Sequence, residues 1–158
     1  MLDWSANPLV AALFATLGFN VRGSRAVDYG GDSEDSAVYA YEIDGSFDVP
    51  DYDINPFSLE DVEFFQPTHI TPRLPAQLGA FSIHPSPTEA FEKPELTQIV
   101  IPGRLRLNFQ VTLDTLGFNH STMFPDIDGV AMQLGWYYQV LDENRDWIVD
   151  RSAPSGAA

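Results

Sequence analysis

Two polar side chains spaced four residues apart, Arg73 and Gln77, are the first pair in this sequence that could act on a ligand together. The flanking residues predict a short helix, with Thr71 as its cap, Pro72 at its first position and Gly79 as its stop. A four-residue spacing places both side chains on one helical face. A guanidinium on that face can receive a phosphate, and it can equally hold neighbouring carbonyls or carboxylates in place. The sequence leaves both interpretations open.

A second group of polar and aromatic side chains precedes a strongly apolar segment. Asp3, Trp4 and Ser5 end a predicted strand, and Asn7 is a predicted helix N-cap. The helix that follows, from Leu9 to Leu17, is almost entirely apolar and must be covered on more than one face. An aromatic wall beside a carboxylate and a hydroxyl can bind a ligand. The alternative is that Trp4 packs in the core while Asp3 caps backbone N–H groups.

The remaining titratable residues do not form a recognisable catalytic or metal-binding motif. Asp126 and Asp128 stand two residues apart at a predicted helix start, so their carboxylates point apart and favour the helix dipole instead of a metal. His69, His84 and His120 are too scattered along the chain to indicate a metal triad. No nucleophile elbow, dinucleotide fingerprint or Walker loop is present, which argues against a serine hydrolase and against classical nucleotide folds.

Composition limits the partners of this chain. The 158 residues include 23 Asp and Glu against 8 Lys and Arg, giving a net charge of −15. This balance argues against nonspecific nucleic-acid binding and against anionic membranes, which both require clustered cations. The chain has no cysteine, so disulfides, thiolate nucleophiles and cysteine-based metal sites are excluded. The apolar run from Leu9 to Leu17 is shorter than the roughly 20 residues that span a bilayer. We expect a soluble, cytoplasmic protein.

Alternating strand and helix signals predict an α+β fold with a small central mixed or antiparallel sheet, flanked by the N-terminal apolar helix and C-terminal helices. We expect one domain over residues 1–150 and a disordered tail over 151–158. A polar, glycine-rich surface loop is predicted from Gly23 to Asp35. Further strands are predicted at Ala37–Ile43, Val62–Gln66, Ala80–Ile83 and Leu96–Ile101, and helices at Arg104–Leu116 and Ile127–Leu141. The last helix is apolar, with helical spacing, at Val130, Ala131, Leu134, Tyr137, Tyr138 and Leu141.

Three stretches together resemble the FRG domain, a module of bacteria and their phages named for an N-terminal Phe-Arg-Gly or Tyr-Arg-Gly signature. They occur in the family's order and with roughly its spacing. The stretches are Leu2-Asp3-Trp4 with Asn7-Pro8; Pro67, His69, Ile70 and Arg73 with Gln77, Gly79 and Phe81; and Phe124-Pro125-Asp126-Ile127-Asp128-Gly129. The resemblance covers most of the chain.

This chain also departs from the FRG pattern at its beginning. The family's Arg-Gly signature, and the Gln-His-x-Gly-x-Pro-Thr-Arg stretch that leads into Leu2-Asp3-Trp4, do not occur in this sequence. The resemblance therefore implies the C-terminal portion of such a domain, truncated before its arginine segment.

A looser resemblance is to the layout of ADP-ribosyltransferases, in which a polar strand leading into an apolar helix and a late Glu or Gln strand clamp NAD. It implies NAD as a candidate cofactor and Gln77 as the catalytic residue, with Asp3, Trp4, Ser5 and Phe81 among the ligand-binding residues. Asn7 and Arg73 complete the predicted ligand-binding set. No metal is expected. Layout alone does not establish activity. Two functions follow as hypotheses: an NAD-using or nucleotide-using enzyme lacking its arginine segment, and a non-catalytic ligand-binding or regulatory module, for example in phage conflict or signalling.

Overall fold

The α+β class is confirmed by the computed structural model, which describes residues 1–17, 34–43, 55–68, 71–86 and 88–143. Most of the loop predicted from Gly23 to Asp35 lies outside these residues, as do His69, Ile70 and the predicted tail over 151–158. The helices and strands that follow therefore belong to the described ranges alone.

Within the described ranges, the strands form two small antiparallel sheets and not a single one. The first sheet has the order β1-β4-β3, and the second pairs β2 with β5. The strands are β1 (Leu2–Ser5), β2 (Ser36–Ala40), β3 (Glu63–Phe65), β4 (Gly79–Ile83) and β5 (Thr97–Ile101). The strands β2 to β5 each begin within one residue of the start of the predicted segment. β2 ends three residues before the predicted Ile43 because the pairing with β5 stops at Ala40.

The described ranges contain five helices: α1 (Pro8–Thr16), α2 (Arg73–Gln77), α3 (Arg106–Thr115), α4 (His120–Met123) and α5 (Ile127–Glu143). The apolar N-terminal helix is covered on several sides, as expected, because α1 contacts α3, β1 and β2. Its Val10 and Leu13 are buried against Leu113 of α3 and Met123 of α4. Short 3-10 turns occur at Pro56–Ser58 and Gly103–Leu105.

Buried hydrogen bonds connect three of these helices. The indole Nε1 of Trp136 in α5 donates to Gln110 Oε1 in α3 at 2.9 Å. The Gln110 Nε2 donates in turn to the backbone oxygen of Thr16, at the end of α1, at 2.6 Å. All three residues are buried. Both ends of the Gln110 amide are thus satisfied inside the protein, as a buried amide requires.

The residues that α5 buries are not the apolar residues whose spacing predicts the helix. Val130, Leu134 and Tyr138 are 47%, 63% and 75% exposed, whereas the buried residues of the helix include Gln133, Trp136 and Val140. The reason is hydrogen bonding to α3, since Gln133 Nε2 donates to Asp114 Oδ1 at 3.0 Å while Trp136 donates to Gln110. An apolar stripe therefore remains on the outside of the helix.

Helix ends follow local chemistry, with one exception at α2. Asn119 caps α4 through a capping box, and Gly117 follows α3 with φ of 87°, a left-handed conformation that glycine adopts without strain. The predicted Thr71 cap and Gly79 stop of α2 are wrong. Pro72 is the N-cap, without a side-chain bond, and Leu78 takes the left-handed conformation so that Gly79 can begin β4.

Gly129 lies at a tightly packed position near the start of α5. A Cβ at this buried position would overlap the Phe124 backbone oxygen, while one at Gly135 of the same helix would meet nothing within 4 Å. We expect Gly129→Ala to lower the free energy of unfolding by about 1–3 kcal/mol through overpacking. The matched control Gly135→Ala should leave it unchanged or raise it by up to ~1 kcal/mol, because alanine favours helix. Urea denaturation checks both values, and equal effects of the two changes would contradict the packing described.

His120 should make stability depend on pH. Burial lowers its pKa from the ordinary value of 6.5, against opposing effects of a Gln133 hydrogen bond and the Asp114 charge. The unfolded chain therefore takes up a proton at higher pH than the folded one, and this contribution to stability is lost as pH falls below about 6.5. We expect His120→Gln to reduce the decrease in urea midpoint between roughly pH 7.5 and pH 5.5. An identical decrease in both proteins would show that His120 does not contribute.

Candidate functional site

An open cleft of about 620 Å³ lies between the first strand, the first helix and the second sheet. Its walls are mostly aliphatic and aromatic. The lining residues are Leu2, Asp3, Trp4 and Ser5 of β1, Ala11, Phe14 and Ala15 of α1, Ala37, Val38 and Tyr39 of β2, together with Gln77, Phe91 and Leu96. A volume of this size lies in the range of small-molecule and peptide sites.

Trp4 is held rigidly in the cleft wall. Its Nε1 donates to the Oγ of Ser82, a fully buried residue of β4, at 2.8 Å, and its ring lies 5.9 Å from Phe64 and 5.7 Å from Phe91 between centroids. The Ser82 Oγ is also 2.8 Å from His84 Nε2. Because Ser82 accepts from the indole, its own proton can go to the His84 ring, which favours neutral histidine. Burial, followed by the positive N-terminus, lowers the pKa of His84 in the same direction.

Ser5 and Gln77 meet at one end of the cleft. The Ser5 Oγ donates to the backbone oxygen of Gln77 at 2.8 Å, which ties the end of β1 to the end of α2. The Gln77 Nε2 donates to the backbone oxygen of Met123 at 2.9 Å. The Gln77 side chain is therefore anchored to α4, and its position in the cleft wall is fixed by the fold.

Asp3 supplies the carboxylate of the cleft. It is an exposed residue of β1, and its Cα lies opposite that of Phe81 in the antiparallel register with β4. Among the lining residues of the described chain, Asp3 is the one formally charged side chain, and neither Lys nor Arg is present. The cleft is thus apolar with a negative group at its wall.

Three predicted site residues lie outside this cleft. Arg73 is the most informative, because its Nη2 and Nε lie 2.6 and 3.2 Å from Asp126 Oδ2. Its guanidinium also sits over the Phe124 ring, 5.4 Å from the centroid. The guanidinium thus holds a carboxylate, as one of the two interpretations has it, on a side chain that is half exposed.

Asn7 and Phe81 have structural partners of their own. The Asn7 Oδ1 accepts from the Leu9 backbone N–H at 2.9 Å, so the predicted N-cap of α1 is confirmed. The Phe81 ring stacks on Phe65 with centroids 5.7 Å apart. The structure therefore brings together Asp3, Trp4, Ser5 and Gln77, and leaves Asn7, Arg73 and Phe81 elsewhere.

Some lining residues were not anticipated from the sequence. Phe91 contacts Trp4, Tyr41, Phe64 and His84, yet it lies in a proline-interrupted stretch without periodicity. An aromatic residue isolated among polar and proline residues was the available signal. The residues of β2 were predicted as a strand, but nothing local indicates that this strand faces β1 across a cleft.

The structure gives no indication of a metal centre or a membrane span in its described parts. No group of three or more His, Asp or Glu is close enough to hold an ion among these residues. Asp126 instead caps α5, since its Oδ1 accepts from the Gly129 N–H at 2.9 Å. None of the helices described is both long and apolar enough to cross a bilayer.

No protein-family model, curated protein or solved structure matches this chain. The resemblance to the FRG domain therefore stays a hypothesis that rests on the three sequence stretches. The ADP-ribosyltransferase layout rests on the position of Asp3, Trp4, Ser5 and Gln77, and function must be argued from the cleft itself.

Removing Arg73 should change the titration of Asp126. The hydrogen bond from Arg73, and after it the backbone N–H of Gly129, lowers the pKa of this carboxyl below its ordinary value of 3.8. In Arg73→Met, we expect the pKa of Asp126 to rise toward 3.8 while staying below it, because the Gly129 bond remains. Carbon-13 NMR titration of the carboxyl measures this shift. An unchanged pKa would show that the ion pair is absent in solution.

Proposed function

We propose that this protein is a non-catalytic ligand-binding module whose ligand occupies the cleft between β1, α1 and β2. The observation that carries the proposal is the composition of that cleft. Aromatic and aliphatic walls surround a few fixed polar groups, the arrangement typical of sites that bind small molecules. Trp4 supplies an aromatic surface, and Asp3, Ser5 and Gln77 supply the polar groups.

The charges of the cleft favour this function over the NAD-using enzyme implied by the ADP-ribosyltransferase layout. A pyrophosphate needs cations or helix N-termini to balance its charge. The cleft offers the Asp3 carboxylate instead, and the arginine expected to take part, Arg73, is engaged by Asp126. The ligand class that fits is an apolar molecule, neutral or positively charged, with hydrogen-bonding groups at its edge.

Blocking the cleft should weaken the binding of an apolar probe. Ala11 lies in the cleft wall, so Ala11→Trp places an indole in the space that a ligand would occupy. We expect the uncharged dye Nile red to bind the unmodified protein and to lose at least about tenfold in affinity in this variant, equivalent to 1.4 kcal/mol. Fluorescence titration measures the change.

The matched control is Ala131→Trp, which adds the same indole on the exposed side of α5 and should leave the cleft open. Ala37→Trp fills the cleft from the opposite wall and guards against a folding defect of the first variant. Equal dye binding by all four proteins would place the apolar site elsewhere. In parallel, NAD titration should show no saturable binding, and NAD binding that Ala11→Trp abolishes would favour the enzyme over the module proposed.

A further inference from the structure

The cleft has strand edges on two sides. In the described part of the chain, β1 is the end strand of its sheet and pairs with β4 alone, while β2 pairs with β5 alone. Each strand thus has one edge without a strand neighbour among these residues. Such an edge presents backbone N–H and C=O groups that can pair with another extended chain.

Both strands turn this edge, and not a face, toward the cleft. Side chains alternate between the two faces of a sheet, so a strand that lines a cavity with one face contributes every second residue. Here all four residues of β1 and three successive residues of β2, Ala37 to Tyr39, line the cleft. Consecutive lining residues indicate that the strands are seen edge-on.

We infer that the ligand of this cleft is an extended peptide segment of a partner protein, which adds as a strand beside β1 or β2 and carries Lys or Arg side chains. The inference rests on the proposed function, because it identifies the ligand of the same site. Main-chain hydrogen bonds to a strand edge provide affinity, and pockets for alternate side chains provide specificity. The small side chains of Ala11 and Ala15 on α1 leave room for the apolar side chains of the segment.

Charge complementarity argues for a basic segment. Asp3 lies on the edge strand as the charged group of the cleft, and the whole chain has a net charge of −15. Opposite charge steers a basic partner toward such a surface, while an acidic partner is repelled. A second copy of this chain would bring the same negative charge to the cleft.

The probe for this inference is a pool of acetylated and amidated octapeptides in which Lys or Arg alternates with a randomised apolar residue. A matched pool carries Asp or Glu in place of the basic residues. We expect the immobilised full chain to retain the basic pool at least about tenfold better than the acidic pool, as read by mass spectrometry. Asp3→Asn should reduce this preference, and Ala11→Trp should abolish retention while Ala131→Trp preserves it.

Alternate N-methylation separates strand addition from simple apolar adhesion. The best-retained peptide is made in two further versions, methylated on its odd or its even backbone amides, because alternate amides of a strand face opposite edges. At least one version should lose about tenfold or more in affinity. Unchanged affinity of both versions would overturn the inference, as would equal retention of the two pools.

The outcomes also separate this inference from the proposed function. If Nile red binds in the cleft but neither pool is retained, the module stands and its ligand is not a peptide strand. If neither dye nor peptide binds, both proposals fail. Sedimentation that shows a dimer of the unmodified chain and a monomer of Ala11→Trp would identify a second copy as the occupant and overturn the inference.

Discussion

The amide of Gln110 is the point on which the helical half of the molecule depends. It accepts from Trp136 of α5 and donates to the last turn of α1, so one side chain fixes three helices relative to each other. Leaving either group of a buried amide unpaired costs about 1–3 kcal/mol. The consequence reaches the cleft, because the α1 that Gln110 holds also presents Ala11, Phe14 and Ala15 to the ligand site.

Local sequence chemistry was sufficient to predict most elements and several of their ends. Asn7 caps α1 as predicted because capping depends on a residue and its immediate neighbours, and Asn119 before α4 and Gly117 after α3 follow the same local rules. The conformation of Leu78 is one that these local rules do not predict. It takes a left-handed conformation that leucine disfavours, and the reason is the adjacent β4, whose pairing with β1 sets where the chain must turn.

Local sequence rules also do not predict which face of α5 is buried or which residues meet at the site. Apolar spacing identified the helix, but the buried stripe was decided by hydrogen bonds from Gln133 and Trp136 to residues of α3 that lie 19 and 26 positions away. For the site, the polar strand before α1 was a usable signal, because its residues line the cleft together. The ion pair of Arg73 could not be predicted, because its partner Asp126 lies 53 residues further along the chain. The place of Phe91 could not be predicted for a related reason, because its aromatic partners come from separate strands and loops.

The outward stripe of α5 has a consequence for the behaviour of the protein in solution. Val130, Leu134 and Tyr138 lie exposed along one helix, and apolar patches of this kind promote association between molecules. A large net negative charge opposes that association through mutual repulsion. With an isoelectric point near 4.2, the chain keeps its repulsion at neutral pH and loses it in mild acid. The excess of acidic residues thus acts as a colloidal stabiliser for a helix that is apolar on its outer side.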